Sequence, residues 1–565
     1  MSTYAEIDAT LTAPGEYFEI EQIEIRGVPT RVWKNTPRSL RDVLEQSRTQ
    51  GDTAFLVLGD ERLSHSEHRM RVAAFARRLV DDFGVRPGDR VVIAMRNYPE
   101  WSVAFFAAVA IGAVAVPLNA WWTGEELAFG ISDSGARVVI ADGARLARLA
   151  DDVVALSLDA LVGVRLDDRP EGAALPPGIV PMEPASGGVG ALPEVEIAPD
   201  DDATIFYTSG TTGRPKGVLG THRNICSNLV SLMYVGARGR LRARVVADAP
   251  VAPASPPVVL VPVPLFHATG CHSILVAQAY FGGTLVLMRK WDPATAVELI
   301  ERERVTSLSG VPSMVWELLD APNLAEHDIS SLASLGGGGA AAPSEIVRKA
   351  ERLLPGRGTS TGSGLTEMSS LVTSNSGADY ARRPDRVGVP VPVCRLRIVD
   401  ESGIDAAPGE PGEVWINGPN VVKGYWRRPK ETAETFVDGW VHSGDIGRVD
   451  DEGFLSIVDR AKDIIIRGGE NVASAEVEAA LFEHPTVADA AAIAVPHTVL
   501  GEEVGVVVCV RPGTAVTAEE LREHVAARLA GFKVPAHVYF RTEPLPRNPA
   551  GKVLKRELRE QVTGS

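Results

Sequence analysis

The feature that most constrains the fold is a repeated alternation of helix-patterned stretches with short, almost wholly apolar runs: RVVIAM (Arg90 to Met95), ARVVIAD (Ala136 to Asp142) and VVLVPVPLF (Val258 to Phe266). A strand with one wet face alternates polar and apolar residues, whereas a run that is apolar throughout is buried on both faces, as in largely parallel sheets covered by helices. The expected class is therefore α/β with layered sheets. Ser102 to Leu118 (SVAFFAAVAIGAVAVPL) is uncharged over nearly the length of a membrane span. Gly112 punctuates it and Pro117 breaks it, so it reads as a buried helix followed by a buried strand, AVAVPL, rather than as an integral membrane segment.

With 565 residues the chain exceeds what one hydrophobic core organises, and at least two domains are expected. From about Asp459 the texture changes to short strands (DIIIRG, AAIAVP, EVGVVVCV) and helices (SAEVEAALFEH, TAEELREHVAARL), the mixture of a small α+β domain. The junction DRAKD is charged and lacks an apolar stripe, as a hinge should. The division expected is residues 1–458, a hinge over 459–462, and residues 463–565.

A net charge of −16 excludes a general nucleic-acid binder, and any anionic ligand must meet a local cationic site. The four cysteines (Cys226, Cys271, Cys394, Cys509) are dispersed, with neither metal-ligand spacing nor a disulfide pattern, which fits a reducing cytosol. The N-terminal stretch does not read as a secretory signal, so a cytoplasmic location is expected. Arg238, Arg240, Arg242 and Arg244 alternate in RGRLRAR and read as a solvated loop, ahead of a Pro/Ala-rich insertion from Ala247 to Val258.

The string YTSGTTGRPKG, Tyr207 to Gly217, follows a strand-like ATIFY and precedes a helix opened by Thr221. Its glycines, hydroxyls and lysine suit a loop that wraps a polyphosphate. Pro215 stands before Lys216 where a Walker A loop needs glycine, so that reading is excluded. The string resembles the signature phosphate loop of the adenylate-forming superfamily, and further motifs follow in that family's order: PLFHATG, GGGGAAAP, TGSGLTE, WVHSGDIG, DRAKDIIIRGGENV and PRNPAGKVLKREL. The resemblance implies a large N-terminal domain of layered α/β sheets with a closing β-barrel-like part, plus a small mobile α+β C-terminal domain.

It also implies roles. Thr208, Ser209, Gly210, Thr211, Thr212, Gly213 and Lys216 would grip the phosphates, and His267 would stand beside the acyl pocket. Gly338, Gly339, Ala340, Gly362, Ser363 and Gly364 would face the adenine and the carboxylate, with Ser363 replacing the family's tyrosine. Thr366 would contact the α-phosphate, Glu367 with Thr211 would hold Mg²⁺, and Asp445 would accept from the ribose hydroxyls. Arg460 would serve the nucleotide, Lys462 the hinge, Gly468 and Gly469 the pantetheine channel, and Lys552 the adenylation step. The activity implied is an ATP-dependent acyl-CoA ligase that uses Mg²⁺ and CoA on a carboxylic acid, with a medium- or long-chain fatty acid expected first. The alternatives are an aromatic or sterol-derived acid, or transfer to a carrier protein or an amine. Such an acid leaves room for peripheral membrane contact, and the sequence is silent on oligomeric state.

Overall fold

The computed structural model of the chain describes residues 3–182, 191–208, 214–247, 256–339, 344–548 and 551–563. The three apolar runs form the strands Arg90–Ala94, Val138–Asp142 and Val258–Val261. The first two belong to an eight-stranded sheet in the order Gly424–Tyr425, Lys216–Thr221, Asp202–Thr208, Val114–Pro117, Arg90–Ala94, Val138–Asp142, Ala160–Val164, Ile179–Pro181. It is parallel from Asp202–Thr208 onward and antiparallel at the Lys216–Thr221 hairpin. The third run sits inside a nine-stranded sheet whose inner strands are parallel and whose antiparallel strands lie at its two edges.

Between the two sheets runs the helix Pro99–Ala110, buried at every residue except Glu100. One apolar cluster joins its Phe105 and Phe106 to Val91 and Ile93 of the first sheet and to Val259, Val261 and Leu285 of the second. Walls on all sides explain why this helix is hydrophobic all round. Truncating Phe105 to alanine would cost about 3–5 kcal/mol in lost burial and cavity formation. Gly112, at φ +73°, turns the chain into the buried strand Val114–Pro117, as expected. Among the described residues no helix is long and apolar enough to cross a membrane.

The part expected to be barrel-like is a five-stranded antiparallel sheet of Arg395–Val399, Gly412–Asn417, Phe436–Val437, Trp440–Val449 and Leu455–Arg460. The small C-terminal unit has its own five-stranded sheet, in which Val504, Val506 and Val508 face one apolar cluster and Val507 and Cys509 face another. That period of two is the pleat of a strand covered on both sides.

One expectation is corrected. The arginine run is helical: Arg238 to Arg244 lie in His222–Ala247, a 26-residue helix. Spaced four apart, Arg238 and Arg242 share one face. Arg238 is buried, donates to the Pro390 carbonyl at 3.1 Å and lies over Tyr4 and Tyr234, while Arg242 pairs with Asp379 at 2.8 Å. The helix expected to open at Thr221 is present as His222–Ala247, with Thr221 Oγ1 accepting from the Asn224 N–H at 3.3 Å. Before it, Thr208 pairs with Lys216 in an antiparallel hairpin whose second strand, Lys216–Thr221, the sequence did not announce. Most of the Pro/Ala-rich insertion lies outside the described residues.

Candidate active site

The site is assembled at the carboxyl ends of the parallel strands Ser334–Gly338 and Gly358–Ser363, where Gly338 pairs with Gly362. Segment 369–371 folds back against this edge so closely that a Cβ on Gly364 would fall 1.3 Å from the Ser370 carbonyl oxygen, which restricts position 364 to glycine. Ser363 is half-buried and its carbonyl accepts from the Val372 N–H at 2.9 Å. Gly339 is exposed in the left-handed region, at φ +80°. Ser209, Gly210, Thr211, Thr212, Gly213 and Ala340 lie outside the described residues.

Thr366 and Glu367 open a short helical turn, both half-buried. Glu367 Oε1 accepts from the Tyr425 hydroxyl at 2.9 Å, and Lys216 Nζ lies 5.4 Å from the centre of the same ring. One tyrosine therefore spaces the loop lysine from the carboxylate. Burial, reinforced by the Glu367 charge, pushes the Tyr425 hydroxyl well above its usual pKa, so it remains a donor. Sequence reasoning missed Tyr425, whose only signal was a tyrosine after Gly424 in the run KGYW. No group of three metal-ligating side chains occurs among the described residues. One carboxylate beside a polyphosphate loop suits a hard cation that takes most of its oxygens from the ligand.

His267 is half-buried, its Nε2 is shielded without a partner, and burial lowers its pKa to about 4. The following π-helical turn, Thr269–Leu275, supplies His272, which the sequence did not single out, and Ser273, which sequence reasoning took only as a small residue leaving room for the acyl group. His272 is buried with Nδ1 3.2 Å from the Ser369 carbonyl oxygen and Nε2 unpartnered, and the Ser273 hydroxyl donates to Ser370 Oγ at 2.8 Å. Ser369 Oγ and Asn228 Nδ2 are buried without partners as well. Polar groups of His272, Ser273 and Asn228 thus gather around segment 369–371, which follows Thr366 and Glu367.

A second cluster gathers around Asp445, which is 8% exposed and pairs with Arg460 Nε at 3.1 Å. Burial raises the Asp445 pKa, against Arg460 and Lys552, which lower it. The Lys552 ammonium is brought down to about 8, chiefly by burial and then by Arg460 and Lys462, with Asp463 and Asp445 opposing. Its loop is tight: Lys552 N–H donates to Asn548 Oδ1 at 2.9 Å and Asn548 N–H to the Lys552 carbonyl at 2.8 Å. The loop is seated on the large unit, since a Cβ on Gly551 would meet Val311 Cγ2 at 2.5 Å. Nearby, Trp316 lies under Lys349 Nζ (4.3 Å) and Arg511 (5.7 Å), and Asp320 pairs with both, at 2.5 and 3.3 Å. Lys462 is exposed, and Gly468 and Gly469 form an exposed turn between Ile465–Arg467 and Glu470–Val472.

The layered α/β fold with its small C-terminal unit, carrying these motifs in this order, defines an adenylate-forming enzyme. The family model described as AMP-binding enzyme matches residues 43–426, and that described as AMP-binding enzyme C-terminal domain matches 476–552. The chain belongs to the AMP-binding enzyme family, among its AMP-forming acid–thiol ligases. It is 37% identical to a feruloyl-CoA synthase of Amycolatopsis sp, over 89% of this chain and 94% of that one. It is 32% identical to a long-chain-fatty-acid–CoA ligase of Escherichia coli O157:H7, over 95% and 97%. Among solved structures it is similar to the amide bond synthetase McbA of Marinactinospora thermotolerans (TM-score 0.79, 28% identity, 93% of this chain and 99% of that one). It also matches the o-succinylbenzoate CoA synthetase of Bacillus subtilis in complex with its acyl-adenylate (0.76, 27%, 93% and 98%).

Proposed function

We propose that this enzyme adenylates an aromatic carboxylic acid with polar ring substituents and passes the acyl group to CoA. The observation that carries the reaction is Lys552, docked beside Asp445 and Arg460 with its ammonium held at about 8. In the first step a carboxylate oxygen attacks the α-phosphorus of ATP, the bond to the bridging oxygen breaks, and pyrophosphate leaves. Two anions must meet, so the barrier is electrostatic and entropic, and a preorganised ammonium lowers it. Asp445 accepts from the ribose hydroxyls and fixes the nucleotide, while Lys216 and the loop hydroxyls hold the phosphates. Glu367 and Thr211 would hold Mg²⁺, which screens phosphate charge when bound. In the second step the CoA thiolate attacks the acyl carbon and AMP leaves, a step that makes no demand on Lys552.

The pivot proposed is the hinge at Lys462. The strand Leu455–Arg460 keeps Arg460 paired with Asp445, and the next strand begins at Ile465, so rotation falls on the four residues between. Turning there would withdraw Lys552 and bring the Gly468–Gly469 turn to the thiol. For the acid, the fatty acid expected first would want an apolar wall. The hydroxyls of Ser273 and Ser370 and the unpartnered atoms of His272, Ser369 and Asn228 shift the weight to a ring bearing hydrogen-bonding groups, as does the feruloyl-CoA synthase relative. The test is acid-dependent pyrophosphate and AMP release, with and without CoA, over hydroxy- and methoxy-aryl, fatty and sterol-side-chain acids. Turnover with aryl acids only when CoA is present supports the proposal. Preference for fatty acids overturns the substrate, and adenylation without CoA-dependent turnover transfers the reading to a carrier protein or an amine.

A further inference from the structure

The strand that carries Asp445 departs from a regular ladder. Its neighbour Gly412–Asn417 pairs Glu413 with Ile446 and Trp415 with His442, so a step of two residues on one strand meets a step of four on the other. Such a bulge takes Ser443, Gly444 and Asp445 out of the ladder, and their polar groups must find other partners. Asp445 N–H turns to Ser443 Oγ at 3.1 Å, and that hydroxyl donates to the Val414 carbonyl at 2.6 Å. Gly444 N–H donates to Glu413 Oε1 at 3.0 Å. The other Glu413 oxygen accepts from the Trp415 indole N–H at 2.9 Å. Trp415 is itself clamped between His442, stacked at 3.8 Å, and the Arg397 guanidinium at 5.2 Å. Gly444, at φ +68°, presents its carbonyl to the Ala461 N–H at 3.0 Å, one residue before Lys462.

We propose that Glu413 is a positioning residue for nucleotide binding: its carboxylate replaces the acceptor missing at the bulge and fixes the Gly444–Asp445 backbone, so that Asp445 is aimed at the ribose and Ala461 is anchored at the start of the hinge. Glu413 touches no reacting atom and acts through Asp445. The inference rests on the reading of Asp445 as the ribose ligand.

The test is steady-state pyrophosphate release by the full chain with ATP varied, for Glu413→Ala, Glu413→Gln, Asp445→Asn and the Glu413→Ala/Asp445→Asn double variant. Losing one charge-assisted hydrogen bond should raise KM for ATP about tenfold in Glu413→Ala, with kcat moved by less than about threefold. Glu413→Gln keeps one acceptor oxygen and should recover most of that loss. Because Glu413 works through Asp445, the double variant should resemble Asp445→Asn to within about twofold. Additive effects, or a fall in kcat and Tm with KM unmoved, would overturn the inference. A raised KM in Asp445→Asn with no change in either Glu413 variant overturns the inference alone. An unmoved KM in Asp445→Asn overturns the ribose reading and the inference with it. Should Glu413→Ala fail to fold, Glu413→Met, of similar length and without an acceptor oxygen, takes its place in the cycle with Asp445→Asn.

Discussion

If the Lys552 ammonium is what steadies the transferring α-phosphate, adenylation should switch off as that group loses its proton. With its pKa at about 8, the charged fraction in the free enzyme is roughly 0.9 at pH 7, half at pH 8 and roughly 0.1 at pH 9. The protonated form is the active one, so activity is full below the pKa and is lost above it, by about tenfold per pH unit once past pH 8. The assay is acid-dependent ATP–pyrophosphate exchange at subsaturating ATP, because kcat/KM reports the free enzyme. Lys552→Ala should lose on the order of a hundred- to a thousandfold. Lys552→Arg should start lower, since a planar fork replaces a point charge, but should show no alkaline limb in this range. Thioester formation from a preformed acyl-adenylate should move the other way, because the CoA thiolate grows with pH. A flat exchange profile through pH 9, or the same limb in Lys552→Arg, would refute the assignment.

Tyr425→Phe removes the hydrogen bond that fixes Glu367 Oε1, and should lower exchange about tenfold while raising the Mg²⁺ concentration needed for half-maximal rate. Arg511→Ala loosens the Trp316–Asp320 seat of the C-terminal unit. It should cut exchange severalfold, about what an exposed pair is worth, and leave thioester formation from preformed adenylate unchanged. His68 is buried, bonded to Ser102 at 2.8 Å, and burial lowers its pKa to about 3. The unfolded chain therefore binds the proton first, and stability present above the unfolded imidazole pKa of about 6.5 is lost as pH falls toward 3. His68→Gln should flatten unfolding free energy against pH by up to about 1.4 kcal/mol per pH unit, read by urea titration.

What was legible in the sequence follows from what is local. Burial on both faces leaves its mark in consecutive residues, so Arg90–Ala94, Val114–Pro117 and the helix Pro99–Ala110, buried everywhere but at Glu100, could be read directly. Cross-strand geometry leaves no such mark. The turn of the phosphate loop into the Lys216–Thr221 strand depends on pairing with Asp202–Thr208 and Gly424–Tyr425, the latter some two hundred residues away. Tyr425 acquires its meaning only from that last pairing, and Glu413 only from the pairing of Gly412–Asn417 with Trp440–Val449. The arginine run was misread because its spacing of two suggests exposure along a loop, whereas on a helix it divides into an inward pair, Arg238 and Arg242, and the exposed Arg240 and Arg244. Lys552 was identified through its motif alone, since a lysine near the end of a chain has no local signature of burial.

The charge distribution ties these parts together. The chain carries −16 overall, yet its proposed substrates, ATP and CoA, are polyanions, so attraction must come from cations concentrated at one place. Around Asp445 those cations are Arg460, Lys462 and Lys552, and the last arrives only when a loop ninety residues further along the sequence docks against Val311. Without ligand, burial first and then the neighbouring Arg460 and Lys462 charges hold the Lys552 ammonium near 8 rather than at its usual value. Binding ATP places negative charge among them, tightens the proton on Lys552 and, by the same linkage, strengthens the docked arrangement. Departure of pyrophosphate removes most of that charge while the adenylate is still bound. On this reading the loss of leaving-group charge weakens the hold on the lysine loop at the moment when its withdrawal is needed, and docking should be tighter with ATP than with acyl-adenylate.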